Sequence, residues 1–413
     1  MAELDLTNIA AASIATPAAG VLAVFSDSAD KKIKTKDENG VISTLVNDGL
    51  QDRSILTNGG FPIQQRVATA STAIPSVSTT TRAGQVADRW AVTVGNVTTP
   101  SWAQIDTSAA NEASLLARYY GKITQATNAA KFILSQFIIN TEMMHLRGQK
   151  VRVSVKLKQF VGSNAVYRLG LLQLAAAGTV DTCPAFITAI GAASVEPTWG
   201  TNLLAITPDA APVGENGTIS GAALSVTSTA GWVRSSCVFS VPTDAKNLVV
   251  VLYRDTLGAA SDAVGVAEFQ LTQGPDLVEY KEPPLQETLE RCMRFFCKSF
   301  PIATVPVASL TVAAAGAGST SIIGKAGATA LAVHITIQFP VVMWKTPVVT
   351  LFTPVNAGAV PMRIDGTTPA SQTAAAQIGL TDRGVTITAT GDAAGLVGDL
   401  VGVHHTAEAE FIT

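Results

Sequence analysis

The chain has 413 residues, of which 47% are hydrophobic and only 14% charged, and 28 Lys and Arg against 31 Asp and Glu give a formal net charge of -3. Without a basic excess or stripe, general electrostatic attraction to nucleic acid or to an anionic membrane is excluded, and no window approaches the roughly 20 apolar residues of a membrane-spanning helix. The length exceeds one ordinary core, and a composition dominated by Ala, Val, Thr, Ser and Gly suits an all-β chain of two or three domains.

In chain order, the opening MAELDLTNIAAASIATPAAG is acidic at its start and lacks the basic region and apolar run of a secretory signal. Strands are then predicted at Gly20 to Phe25, Lys31 to Lys36 and Val41 to Leu45, separated by a polar turn at Ser26 to Asp30 and by Glu38-Asn39-Gly40. Asn-Gly is the strongest two-residue hairpin signal. Residues 1–50 therefore read as a β-meander too small to bury a core alone, suited to attachment to another subunit or a larger assembly. Residues 51–87 read as an extended linker and entry strand wrapping over a domain surface. This stretch contains LTNGGFPIQQR at Leu56 to Arg66 and a Ser/Thr-rich run at Ser71 to Thr81.

Residues 88–299 carry recurring apolar strands: Trp90 to Val94, Phe132 to Ile139, Val151 to Phe160, Tyr167 to Leu174, Trp232 to Val241, Leu248 to Tyr253 and Val266 to Leu271. Their lengths and turn residues predict a β-sandwich or jelly roll. In VRVSVKL, strict alternation buries Val151, Val153, Val155 and Leu157 and leaves Arg152, Ser154 and Lys156 wet. The segment PPLQETLERCMRFFCKSF predicts one closing helix, with Leu285, Leu289, Cys292 and Phe296 as its apolar stripe. Glu287 and Glu290 lie toward its start and Arg291, Arg294 and Lys298 toward its end, matching the helix dipole. Residues 300–413 read as a C-terminal β-sandwich-like domain, with strands at Ser309 to Ala313, Leu331 to Phe339, Pro347 to Phe352, Gln377 to Leu380 and Gly384 to Thr390.

No catalytic residue, cofactor or metal emerges from this pass. Of the four histidines, His145 reads as a surface loop residue and His334 as a structural residue of a strand. His404 and His405, adjacent on a strand, point to opposite faces and cannot chelate one ion together, so replacing either is expected to change stability by only about 0.5 kcal/mol. Cys183 and Cys237 stand apart in strand-like segments, while Cys292 and Cys297 are five apart on the predicted helix, a poor geometry for a disulfide or metal. Reduced cysteines fit folding in a cytoplasm. Gly318 to Ala326 misses the phosphate-loop pattern by one spacer residue and one hydroxyl. Asp255, Asp262 and Glu268, near strand ends, read as solvated loop carboxylates rather than a glycosidase pair. Trp102, Trp199, Tyr119 and Tyr120 are the aromatics able to form a glycan-contacting platform, with burial in the core as the alternative.

Several phrases together resemble a known pattern. NGGFPIQQR followed by Ala87-Asp88-Arg89-Trp90 resembles the N-x-x-F-x-I-x-Q-R … A-D-R-W signature of bacteriophage tail fibre and other virion structural proteins. There it opens a jelly-roll module similar to carbohydrate-binding domains. Leu134 to Ile138, Leu146 to Val151, the strand at Trp232, FQLTQGPDLVEY, ETLERCMRFF and FPVVMWKTPVV follow in the order of that pattern, so the resemblance spans about Asn58 to Leu351. The meander resembles the small unit that often precedes it. Pro62 and Gln64 depart from the pattern by replacing a polar residue and a tryptophan, and no Glu follows Ile138.

The resemblance implies a non-enzymatic virion component, made in the host bacterial cytoplasm. It would be a short tail fibre or fibre-like appendage contributing to host attachment. It further implies a homotrimer, virion partners held through the N-terminal segment, and a host surface glycan as a ligand. A head fibre or capsid decoration protein, a polysaccharide depolymerase tailspike and a cellular lectin-like module are the alternatives. On this reading Asn58, Phe61, Arg66, Asp88, Arg89 and Trp90 form a structural latch. The Asn58-Gly59-Gly60 turn takes positive φ and aims Phe61 and Ile63 inward as an edge strand, and Arg66 pairs with Asp88-Arg89.

Overall fold

The computed structural model describes residues 8–10, 13–21, 23–28, 33–36, 38, 42–44, 53–66, 72–73, 84–95, 100–110, 112–125, 131–162, 165–175, 177–182, 186–190, 195, 197–209, 213–214, 223–226, 231–302, 304–306, 322–325, 332–352, 362–363, 375–390 and 400–410. The chain divides into two compact units, Met1–Ser54 and Ile55–Thr413.

In the first unit, strands β1 (Asn8–Ile9), β2 (Ala23–Asp27), β3 (Ile33–Lys36) and β4 (Ile42–Thr44) form one sheet in that order. The predicted three-stranded meander is present, with a parallel β1 added beside β2. Asp27, placed in a turn by the sequence, ends β2 and pairs with Lys34 on β3 at 2.7 Å. Asn39-Gly40 lies outside the described residues.

The second unit begins with a β-sandwich of β5 (Thr72–Ala73), β6 (Gly84–Ala87), β7 (Trp90–Gly95), β8 (Ser101–Asp106), β9 (Tyr119–Thr124), β10 (Lys131–Ile138), the short helix α1 (Asn140–Met143), β11 (Lys150–Val161) and β12 (Ala165–Leu174). It continues through β13 (Ile187–Ala189), β14 (Thr198–Trp199), β15 (Leu203–Ala205), β16 (Val213–Gly214), β17 (Ala223–Val226), β18 (Val233–Ser240), β19 (Asn247–Arg254) and β20 (Ala263–Gln273). One sheet runs β15-β12-β19-β10-β7-β6, with β17 also on β12, and the other runs β16-β18-β11-β20-β9-β8-β5. The described pairings within both are antiparallel, giving the jelly-roll architecture. Between the sheets lies one apolar core that includes Trp90, Phe132, Leu134, Val153, Val155, Val250 and Phe269.

Helix α2 (Leu285–Met293) is shorter than the sequence stripe predicts. Leu285 stands 55% exposed in the first turn, and Thr288, Leu289 and Cys292 make the buried face. Phe296 leaves the helix for strand β21 (Phe296–Lys298), as does Cys297, because the backbone turns at Arg294. The remaining strands are β22 (Ile322–Lys325), β23 (Ala332–Gln338), β24 (Val348–Phe352), β25 (Met362–Arg363), β26 (Ala375–Leu380), β27 (Gly384–Thr390) and β28 (Leu400–Glu408). β28 pairs with β21, β22, β24 and β25, while β23-β27-β26 form a separate sheet. Ile335, Ile337, Val349, Leu351, Ile387, Val403 and Ala407 give these sheets their own core. The strand predicted at Ser309 to Ala313 lies outside the described residues.

Candidate functional site

The latch residues meet, but in a different arrangement from the one expected. Positive φ falls on Asn58 (63°) and Phe61 (59°) and not on the two glycines, and residues 53–66 form an irregular turn in place of an edge strand. Asn58 creates this turn by substituting its side chain for a strand partner. Its Nδ2 donates to the carbonyls of Ile63 (2.8 Å) and Asp88 (2.9 Å), and its Oδ1 accepts from Ile63 N–H (3.0 Å). Asn tolerates left-handed backbone because its short amide can bond locally. Gly59 is required for a different reason: a Cβ there would sit 1.9 Å from the Phe269 carbonyl oxygen. The segment is no surface linker, since Leu56 to Phe61 and Ile63 to Gln65 are buried. Phe61 lies against Trp90 (5.4 Å between centroids) and Trp102 (5.3 Å), and Trp90 stacks on Phe269 at 4.8 Å and donates its Nε1–H to the Asn58 carbonyl.

The ion pairing also differs. Asp88 accepts from the Gln65 backbone and side chain, while Arg89 and Arg66 reach Glu410, at 2.8 and 3.4 Å. Arg89 lies 3.4 Å from the Phe295 ring centre and donates to the Phe137 carbonyl, and Arg66 lies over Phe296 at 4.1 Å. Lys298 donates to the carbonyls of Gln65, Ile302 and Thr304, and burial pulls its pKa down to about 8. Burial pushes the Asp88 carboxyl above its ordinary value, against the pull of Arg66 and the Gln65 hydrogen bonds. The latch thus joins the sandwich to the C-terminal sheets. A buried charge with two cationic partners is a positioning device, and removing one partner strands the others.

The four aromatics expected at a glycan surface do not form one platform. Trp102 is a core residue at 1% exposure, fitted over Gly121, where a Cβ would fall 1.9 Å from its ring. Tyr120 is buried against Phe160 (5.6 Å) and Trp232 (5.2 Å), and burial, with Glu112 nearby, raises its pKa to about 12. Tyr119 is half-buried with the Arg118 guanidinium 5.1 Å from its ring. Among the described residues Trp199 lines a cavity.

That cavity, about 200 Å³, opens where the chain crosses between the sheets. β15 and β17 flank opposite ends of β12, and after β15 the chain runs by Ile206, bonded to the Leu171 carbonyl, to Pro208, bridged to Phe239 of the other sheet. Arg168, Trp199, Thr207, Pro208, Phe239 and Tyr253 are among its lining residues. Trp199 and Tyr253 meet edge to face at 6.1 Å. Arg168, with a third of its side chain exposed, donates to Asp255 at 2.9 Å, and buried Lys131 stands 3.7 Å from the other Asp255 oxygen, too far for a hydrogen bond. Burial lowers the Lys131 pKa while Asp255 opposes the shift. Arg168 and Tyr253 were not singled out from the sequence, because each sits in a strand whose apolar residues define the pattern.

The other candidates are held by structural contacts. Asp262 pairs with Arg254 at 2.6 Å and Glu268 with Lys156 at 3.0 Å, and like Asp255 both carboxylates are buried, not solvated as expected. Burial forces each to take a cation partner. His145 is exposed in a short 3-10 turn, and His334 is exposed on β23. His404 stacks on Phe300 at 4.5 Å with its Nδ1 3.0 Å from Ser299 Oγ, while His405 lies toward Phe339 at 6.2 Å. Both are buried, so the small stability effect expected from the sequence is corrected. Burial lowers both pKa values, that of His405 to about 4. Cys237, Cys292 and Cys297 are buried and unbridged, and Cys183 lies outside the described residues. Among the described residues no group of three or more His, Cys, Asp and Glu is placed to hold a metal, and no helix is long and apolar enough to cross a membrane.

No family model matches the chain, and no curated protein matches it. Solved structures similar to it include TmCBM61 in complex with β-1,4-galactotriose, at 11% identity and TM-score 0.30 over 54% of this chain and 99% of that one. The CBM22-1 xylan-binding domain from Paenibacillus barcinonensis Xyn10C is 15% identical at TM-score 0.26, over 55% and 97% of the two chains. The enzymatically active domain of bacteriophage CBA120 tailspike protein 4 is 11% identical at TM-score 0.27, over 54% of this chain and 21% of that one.

Proposed function

We propose that this protein is a non-enzymatic structural component of a bacteriophage virion, a short tail fibre or fibre-like appendage that contributes to host attachment. One observation carries the reading. The phrases that resemble virion modules are scattered from Asn58 to Trp344, yet several of them meet at one buried joint. There Trp90 stacks on Phe269, Arg89 on Phe295, and Phe295 lies 5.9 Å from Trp344. Arg291 from the helix phrase donates to the Ile55 carbonyl at the entry of the latch. Scattered phrases that fold into one interlocked joint behave as a single structural module. The three carboxylates weighed as a glycosidase pair, Asp255, Asp262 and Glu268, are engaged by Arg168, Arg254 and Lys156, which favours binding over a depolymerase.

In this reading residues 1–50 attach the protein to other virion proteins, the jelly roll contacts a host surface glycan, and the assembled form is a homotrimer. The test is quantitative mass spectrometry and immunogold labelling of purified, DNA-filled particles. Labelling at the tail is expected. Labelling at the head would favour the capsid decoration reading, and absence from particles would overturn both. Deleting Met1 to Asn47 should leave a folded remainder that no longer joins particles. Light scattering of the recombinant protein should give three chains, and a monomer at micromolar concentration would sink the trimer.

A further inference from the structure

We infer that Asn58 is a covalent modification site gated by the fold: inert while the latch is closed, it converts in an opened latch through a succinimide to aspartate and isoaspartate, after which the latch cannot close again. The chain holds three Asn-Gly pairs, Asn39-Gly40, Asn58-Gly59 and Asn216-Gly217, and Asn58-Gly59 lies within the described residues. Asparagine before glycine favours this reaction because glycine has no Cβ to obstruct its own nitrogen. The Gly59 amide nitrogen, its proton taken up by solvent base, attacks the Asn58 side-chain carbonyl carbon. The new C–N bond closes a five-membered imide, and the side-chain nitrogen regains a proton and leaves as ammonia. Water then opens either carbonyl of the ring, giving aspartate or isoaspartate. Nothing is oxidised or reduced, and water is the only co-reactant.

The closed latch blocks each step. Departure of Nδ2 requires breaking its bonds to the carbonyls of Ile63 (2.8 Å) and Asp88 (2.9 Å), while the Ile63 N–H holds Oδ1 at 3.0 Å. Asn58 is 3% exposed, which keeps base and water away. Gly59 cannot swing toward the side chain, since its carbonyl accepts from Phe269 N–H at 3.0 Å and its Cα rests against the Phe269 carbonyl. The Asn58 carbonyl is tied in turn to Trp90 Nε1 (2.9 Å) and Phe61 N–H (3.0 Å). The liability is inseparable from the latch. Position 58 needs a short side chain with both donor and acceptor on left-handed backbone (φ 63°), and position 59 has no room for a Cβ. The products fail at the same place. A carboxylate has no proton for the Ile63 and Asp88 carbonyls and sets a negative charge against their oxygens, and isoaspartate also lengthens the backbone by one carbon. An opening that lasts long enough to react is thereby made permanent.

Peptide mapping by mass spectrometry, with fragmentation that separates aspartate from isoaspartate, tests this on the full chain held at mildly alkaline pH. In unfolding urea Asn58 should react at a rate comparable to Asn39 and Asn216. In native buffer it should react at least about a hundredfold more slowly than in urea, because reaction then waits on a local opening. Glu410→Ala, which strands Arg66 and Arg89 beside the latch, should speed the native reaction about tenfold or more. Trp90→Phe, which keeps a ring in place and removes only the bond to the Asn58 carbonyl, gives the same reading should Glu410→Ala not fold. Asn58→Asp, the stand-in for the product, should be cut by trypsin after Arg66 about tenfold or more faster than the parent. No reaction in urea overturns the site, and equal rates in urea and native buffer overturn the gate. Parental rates in both Glu410→Ala and Trp90→Phe overturn its assignment to the latch. An Asn58→Asp chain as resistant to trypsin as the parent overturns the irreversibility.

Discussion

The two sheets of the sandwich share one core but differ on their far sides. In the sheet containing β10 and β19, Leu134, Val250 and Leu252 face inward, while Ile133, Phe137, Val249 and Val251 face a second apolar layer that includes Phe186, Leu203 and Phe295. In the sheet containing β11, Val151, Val153, Val155 and Leu157 face inward, and the far side carries Arg152, Lys156 and Lys158, paired with Pro275 O, Glu268 and Glu112. The first sheet is covered by the β13–β14 excursion and by Phe295 and Trp344 at the C-terminal joint; the second carries a smaller apolar cluster of Leu115, Tyr120, Phe160 and Trp232 beside its paired cations. The difference teaches that hydrophobic patterning reports what lies behind a strand more directly than it reports the fold.

The largest test attacks what both sheets share and what holds the cover. Phe61→Ala should cost about 3–5 kcal/mol, as a large cavity between the sheets. Glu410→Ala should cost a similar 3–5 kcal/mol by stranding Arg66 and Arg89, which urea unfolding can measure. A loss below about 1 kcal/mol at Glu410 would make the joint an ordinary surface pair and remove the cover from the comparison.

Acid should loosen the C-terminal sheets next. Folded His405 is held near pKa 4, against an ordinary 6.5, so between those values the unfolded chain binds a proton that the folded one refuses. Stability fully present above pH 6.5 should therefore fall as pH drops toward 4, by up to about 3 kcal/mol from this residue. Asp88, raised by burial, acts in the opposite sense above its ordinary 3.8, so the informative quantity is the difference between the parent and His405→Gln. Matching pH slopes in the two would refute the assignment.

The smallest effects compare the far sides directly. Val249→Thr, on the covered side, should cost about 1–3 kcal/mol by burying a hydroxyl without a designed partner. Lys158→Thr, on the far side of the β11 sheet, should cost about 1 kcal/mol or less, although it loses the Glu112 pair at 2.6 Å. Equal costs would mean the two far sides are energetically alike, whatever their composition.

Legibility followed the same divide. The alternating β11 and β27 were placed almost to the residue, although Ser154, expected on the wet face, is buried opposite Ser236 and Gln270 where the register with β20 shifts. SWAQID was not recognised as β8, since its polar residues dilute the apolar signal, and the strand expected at His404 and His405 had no bounds until β28 supplied them. The latch residues were recognisable from their phrase, but their partner was not. Glu410 has no local feature that marks it, and only the fold brings it within reach of Arg66 and Arg89. The helix stripe was overextended because Cys292 and Phe296 keep a helical spacing across the turn at Arg294. Of the aromatics, Trp199 lines a cavity and Trp102 is packed into the core, a distinction set by the cover layer and by Gly121 across the sheet.

The Glu410 joint also sets a clock on biosynthesis. Arg89 and Glu410 are 321 residues apart, and Arg66 and Glu410 are 344 apart. At about 5–20 residues per second, a ribosome takes on the order of tens of seconds to cover that interval. Throughout it the sandwich strands are emerging while two guanidiniums destined for burial still lack their carboxylate. A nascent chain therefore lacks this lock until its distal sheets arrive, and a chain interrupted before residue 410 never forms it.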